Sequence, residues 1–156
     1  ILAHESATYS YNEAHYFYFG KSNSPQADPN VRYIKMNGRK IYEFALINVP
    51  KAMKSCLEKS GKSIKDLKKV FIHQANEKMD EAILKRFYKL FGEEFPEGVM
   101  PMTIQELGNS SVATVPTLLD LVINKQIDKQ ELKKGDIIMF ASVGAGMNVN
   151  AIVYEY

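Results

Sequence analysis

The stretch Val70-Phe71-Ile72-His73-Gln74-Ala75-Asn76-Glu77-Lys78-Met79 passes from strand to helix across a short polar junction. Val70-Phe71-Ile72 is apolar, β-prone and too brief for a helix, so it reads as a buried strand. Asn76 can cap a helix, and Glu77, Asp80 and Glu81 suit its positive end. Met79, Ile83, Phe87 and Leu90 then recur at helical spacing, and Gly92 stops the run. The spacing predicts a helix from about Glu77 to Phe91. His73-Gln74-Ala75-Asn76 therefore sits at the carboxyl end of a strand, where open α/β sheets gather their sites.

The same alternation extends outward. Ile41, Ala45, Val49, Ala52 and Cys56 form one apolar stripe from Arg39 to Lys59, widened by Tyr42, Leu46, Met53 and Leu57. This is a helix that Pro50 should kink or reset and that Gly61 terminates. Ser63-Ile64-Lys65-Asp66 reads as a capping box opening a short turn. Val99 to Ile104 reads as a further strand, with Pro101 pointing to an edge or an irregular start. Ser111 to Ile127 reads as a helix with Val115, Leu118, Leu119 and Val122 inward and Pro116 in its first turns. Asp136–Val143 and Met147–Tyr154 are two strands joined at Gly144-Ala145-Gly146, which makes an antiparallel hairpin. The order implies an α/β fold: a mixed sheet with helices on both faces and a C-terminal antiparallel hairpin.

Residues 1–35 are less regular. Tyr9 to Phe19 is aromatic-rich and strand-prone, and Gly20 to Pro25 with Asp28-Pro29-Asn30 form a polar loop. This segment reads as an excursion of the same domain, with residues 36–156 as its ordered body. The 156 residues suit one domain, or one half of a two-half subunit. The chain opens at Ile1 without a methionine, which hints at a fragment, a processed product or an engineered boundary.

Composition narrows the function. A net charge of +2 gives no field for indiscriminate nucleic-acid binding. The uncharged run Ile137 to Tyr154 is broken by Ser142, Gly144, Gly146, Asn148 and Asn150, so it reads as two strands and a turn rather than a membrane span. No signal peptide is visible. The single cysteine excludes an internal disulfide and favours a reducing compartment. His4, His15 and His73 have no metal-ligand spacing, so no metal is expected. Cys56 lies on an apolar helix face and reads as a small core residue.

Chemistry is left to two junctions. His73-Gln74-Ala75-Asn76 and Gly108-Asn109-Ser110-Ser111 each stand between a strand and a helix, and parallel neighbours would open both on one sheet edge. An imidazole N–H and a carboxamide N–H₂ meeting there can donate to one carbonyl oxygen and stabilise charge growing on a thioester or enolate. A helix N-terminus nearby would keep the imidazole neutral. The structural alternative is a histidine satisfied at a strand end and an ordinary Asn-Ser helix cap.

His73-Gln74-Ala75-Asn76, Gly108-Asn109-Ser110-Ser111 with Pro116 and Asp120, the Gly135-Asp136 strand and the glycine hairpin together resemble the C-terminal half of β-ketoacyl-acyl-carrier-protein synthase III, a thiolase-like condensing enzyme. Met36-Asn37-Gly38-Arg39 and the helix through Val49-Pro50 extend the likeness over Met36 to Tyr156. The resemblance implies a thiolase-like half-fold within a five-layered αβαβα subunit, cytoplasmic and homodimeric. It implies an acyltransferase that needs no cofactor, takes acyl-CoA as substrate, and condenses the acyl group with malonyl-acyl-carrier protein to begin fatty-acid synthesis. The family's Cys-His-Asn triad maps its His and Asn onto His73 and Asn109. Its nucleophilic cysteine belongs to an N-terminal half missing here, so this chain alone is expected to be inactive.

By the same resemblance, Met36, Gly38, Tyr42, Asn76, Gly144 and Gly146 belong to the substrate and CoA channel. Lys78 and Arg86, beside Lys85 and Lys89, face the acidic carrier protein; on composition alone they form a solvated helix face. Ser142-Val143 replaces a usual Gly-Phe, and Asn148-Val149-Asn150 a usual Thr-Trp-Gly, which bears on acyl-chain preference. Two other readings stand beside this one: a specialised thiolase-like acyltransferase, and a non-catalytic module binding acyl-carrier protein or CoA.

Overall fold

A computed structural model describes residues 1–156. The elements in order are β1 (Ala3–Thr8), α1 (Ser10–Glu13), β2 (Phe17–Gly20), β3 (Tyr33–Met36), α2 (Gly38–Lys59), β4 (Leu67–Ile72), α3 (Glu77–Lys89), α4 (Ile104–Leu107), α5 (Thr114–Ile123), β5 (Ile137–Gly144) and β6 (Asn148–Glu155). Four strands form one mixed sheet in the order β1-β6-β5-β4. β4 and β5 are parallel, joined by the crossover that carries α3 to α5, while β5–β6 and β1–β6 are antiparallel.

Alternation along the strands sorts the core into two layers. Val70, Ile72, Met139, Ala141, Val149, Ala151 and Val153 join α2 and α3 on one face. Phe71 and Ile138 join Leu118 and Val122 of α5 on the other. Helices therefore cover both faces, as the sequence order implies, and the C-terminal hairpin is present. Its loop, Ala145-Gly146-Met147, needs Gly146 at φ +75°, where a Cβ would also meet Asn148 Nδ2 at 3.0 Å.

Three expectations for residues 36–156 change. Val99–Ile104 is not a strand. One backbone bond, Val70 N–H to the Val99 carbonyl at 2.8 Å, ties its start to β4, and Ile104 already begins α4. Pro101 has no N–H to continue such a ladder. The helix expected over Ser111–Ile127 is shorter: a 3₁₀ turn at Ser111–Ala113 leads into α5, which stops at Ile123. Asn124 folds its side chain back onto the Asp120 carbonyl at 3.0 Å, and Lys125 is left-handed. Pro50 does not divide the preceding helix, which runs unbroken from Gly38 to Lys59.

Residues 1–35 are more ordered than their composition suggests. Ala3–Thr8 is the edge strand of the main sheet, in register from Ala3 opposite Val153 to Thr8 opposite Asn148. The strand-prone run from Tyr9 to Phe19 is mostly helical turn, with a strand only from Phe17, where β2 pairs with β3 as a separate two-stranded ribbon. The Asn37 N–H to Tyr16 carbonyl bond, 2.8 Å, ties this ribbon to the start of α2.

Candidate functional site

The parallel register Ile72–Ala141 continues one step further, with the His73 N–H donating to the Ala141 carbonyl at 3.0 Å. Because Ile72 faces α2 and α3, alternation turns His73 toward the side occupied by α5. The imidazole is part-buried there. Burial lowers its pKa from the ordinary histidine value, and a main-chain hydrogen-bonding contact with Ser111 opposes that shift. Burial thus favours the neutral ring over the imidazolium.

Asn109 reaches the same place along a different route. Gly108, at φ +64°, turns the chain out of α4. The Asn109 Oδ1 then accepts from the Ser111 N–H at 2.9 Å. The carbonyl end of the carboxamide is thereby engaged, which turns its N–H₂ end into a free donor. Ser111 itself sits at φ +56°, a left-handed conformation uncommon outside glycine. It touches both groups, so the main chain at Ser111 is the joint between His73 and Asn109.

A cavity of about 780 Å³ has His73, Asn109, Met36 and Gly144 in its wall. Its lining is mostly apolar, and Ser142 and Asn150 add polar groups from β5 and β6. The other sequence-derived residues lie outside this wall. Gly38 opens α2. Tyr42 is exposed while its neighbour Ile41 lines the cavity. The Asn76 side chain caps α3, accepting from the Met79 N–H at 3.1 Å. Gly146 shapes the hairpin loop. Lys78 and Arg86 are exposed residues of α3, and Arg86 also reaches the Leu46 carbonyl of α2. Cys56 is fully buried, its Sγ donating to the Ala151 carbonyl at 3.4 Å, and burial raises its thiol pKa, the opposite of what a nucleophile needs.

The sequence set Ser111 in the junction with Asn109 and marked Ser142 and Asn150 as departures bearing on the acyl chain, and all three line the cavity. Phe140 and Ile152 line it too without having been named, because their membership depends on which strands become neighbours. No group of three His, Cys, Asp or Glu side chains is placed to hold a metal ion. No helix is long and apolar enough to cross a membrane.

Residues 57–156 match the family described as 3-oxoacyl-[acyl-carrier-protein] synthase III, C terminal. The chain belongs to this synthase III C-terminal family. It is 33% identical over 130 residues to the β-ketoacyl-[acyl-carrier-protein] synthase III of Porphyra umbilicalis, covering 82% of this chain and 37% of that protein. Synthase III from Thermus thermophilus shares the fold, with a TM-score of 0.79 at 22% identity over 99% of this chain and 45% of that one. The priming β-ketosynthase of the R1128 polyketide pathway also superposes, with a TM-score of 0.77 at 20% identity over 97% of this chain and 43% of that one. The chain thus spans about two-fifths of the length of the relatives it matches. The thiolase-like α/β architecture expected from its sequence is the one these neighbours share.

Proposed function

We propose that this chain is the half of a β-ketoacyl-acyl-carrier-protein synthase III subunit that supplies the His and Asn of a Cys-His-Asn triad. The supporting observation is the meeting of His73, Asn109 and Gly144 around one cavity in a chain of this family. The thiolate comes from an N-terminal half outside this chain. It attacks the acyl-CoA thioester and expels the CoA thiolate, leaving an acyl-enzyme. Malonyl-acyl-carrier protein then loses CO₂. The electron pair of the breaking C–C bond passes into an enolate whose oxygen accepts hydrogen bonds from His73 and Asn109. The enolate carbon attacks the acyl carbonyl and returns the cysteine thiolate.

The apolar character of the cavity suits the acyl chain and pantetheine arm. Met36, Gly38, Tyr42, Asn76, Gly144 and Gly146 are the channel residues of this reading, and Lys78 and Arg86 receive the carrier protein. Large exposed apolar side chains, among them Phe19 (70%), Met36 (62%) and Val112 (90%), support a missing partner half over this surface. The complete subunit is a cytoplasmic homodimer in this reading.

The test uses the complete subunit. His73→Ala and Asn109→Ala should each slow malonyl decarboxylation by about 10²–10³-fold. Wild-type rates in both would overturn the assignment. A second reading, a sister acyltransferase with an unusual acyl preference, is favoured by Ser142 and Asn150 in the cavity wall. A panel of acyl-CoA substrates separates the two.

A further inference from the structure

Gln74 lies between His73 and the α3 cap, and its side chain is fully buried. A buried carboxamide must satisfy both ends. Its Nε2 donates to the Pro101 carbonyl at 2.9 Å. Its Oε1 accepts from the Thr103 N–H at 2.9 Å, with the Thr103 hydroxyl further off at 3.4 Å. These are the contacts a neighbouring strand would have made. The segment from Val99 to Thr103 has no ladder with β4 beyond the Val70–Val99 bond, and one side chain replaces the missing rungs. A second, exposed tie lies beside it, Gln105 Nε2 to the two Glu77 carboxylate oxygens at 3.2 and 3.1 Å.

The clamp stands at both junctions that carry the proposed chemistry. Its own residue is the chain neighbour of His73. The backbone it holds runs directly through α4 and Gly108 into Asn109. At the far end, Ser110 and Thr114 hydroxyls bond at 3.2 Å where α5 begins. The Pro101–Thr103 backbone is thus tied at one end to the residue beside His73 and leads at the other to Asn109 and the Ser111 main chain.

We propose that Gln74 is a positioning residue: its two-ended hydrogen bond to Pro101 and Thr103 fixes the distance between the imidazole of His73 and the carboxamide of Asn109. This rests on the reading of that pair as the enolate-stabilising donors. Two donors must converge on one oxygen, and a displacement of about 1 Å can cost about 10²-fold in rate. Thiolate acylation by acyl-CoA precedes the step that uses the pair, so the clamp acts on decarboxylation and leaves acylation alone.

The experiment measures both half-reactions in the complete subunit, with thermal melting alongside. Gln74→Leu fills the site but makes no hydrogen bond; decarboxylation should fall about 10–100-fold while the acylation rate stays within about twofold. Gln74→Glu supplies a pH-dependent control. Protonated, its O–H can donate to the Pro101 carbonyl; ionised, it cannot. Its decarboxylation rate relative to wild type should rise as pH falls, a dependence that packing alone does not produce. Should the Leu variant fail to fold, the Glu profile decides. Wild-type decarboxylation in Gln74→Leu, an equal loss of both half-reactions, or a flat Glu profile overturns the proposal. His73→Ala and Asn109→Ala run in parallel. If they lose decarboxylation and Gln74→Leu does not, only the positioning role fails; if they keep it, the functional reading fails first.

Discussion

Arg86 Nη1 donates to the main-chain carbonyl of Leu46 at 3.3 Å, from α3 to α2. That carbonyl is the one whose helical partner would be the N–H of residue 50. Pro50 has none. A cation from the neighbouring helix thus takes the place of the lost donor and joins α2 to α3 where α2 is weakest. This is how α2 passes through a buried proline without ending.

Removing the guanidinium should therefore act through Pro50. Arg86→Ala is expected to destabilise the fold by about 1 kcal/mol, and the loss should shrink when Pro50→Ala restores the N–H. A double-mutant cycle in urea checks this; strictly additive effects would mean that the contact carries no energy.

Lys78 is exposed and has no such tether, which makes it the better probe of carrier docking. Lys78→Glu should raise the KM for malonyl-carrier protein several-fold in the complete subunit and spare the KM for acyl-CoA. Steady-state kinetics with each substrate varied in turn makes the comparison, and unchanged KM values for both remove Lys78 from the docking surface.

The His73 imidazole should titrate below the ordinary histidine value of 6.5, because burial disfavours the cation. Its folded pKa is lower than its unfolded one, so the unfolded chain takes up the proton first. The contribution of His73 to stability is present above the unfolded pKa and is lost as pH falls below it. A proton NMR titration of the ring reads the midpoint directly; one at or above 6.5 contradicts the buried, neutral ring.

Asp80 is fully buried in the first turn of α3, and neither carboxylate oxygen has a partner. Burial pushes its pKa up to about 7, with Glu77 adding to the rise and the Asn76 main chain opposing it. Between the unfolded pKa and about 7 the folded chain holds a proton that the unfolded chain has released. Stability should therefore fall as pH rises through this window and level off above it. Asp80→Leu should remove that slope, and its advantage over wild type should grow by roughly 3 kcal/mol between pH 5 and pH 8. Urea unfolding at the two pH values measures the difference; an equal advantage at both would show that the carboxylate is not the source.

Much of this fold is legible in local chemistry. Asn37 and Asn76 cap their helices, Ser63 and Asp66 close a capping box, and Gly144 to Gly146 turn the final hairpin, because each needs only residues adjacent in the chain. The order of strands and helices likewise implied the mixed sheet. Residues 3–8 were hidden because an edge strand without a large apolar side chain carries little apolar signal until β6 is beside it. Val99 to Ile104 misled in the opposite way, since its apolar run met no ladder and was held instead by a glutamine.

The primary structure by itself thus supplied the α/β order, the family likeness and the two polar junctions. It named His73 and Asn109, but their shared cavity follows from the parallel pairing of β4 with β5 and from the turn at Gly108. Periodicity and capping report forces between residues a few positions apart. The burial of Gln74, Asp80 and the Leu46–Arg86 contact depend on groups brought together from distant parts of the chain, and only the folded molecule decides which polar groups are left to satisfy one another.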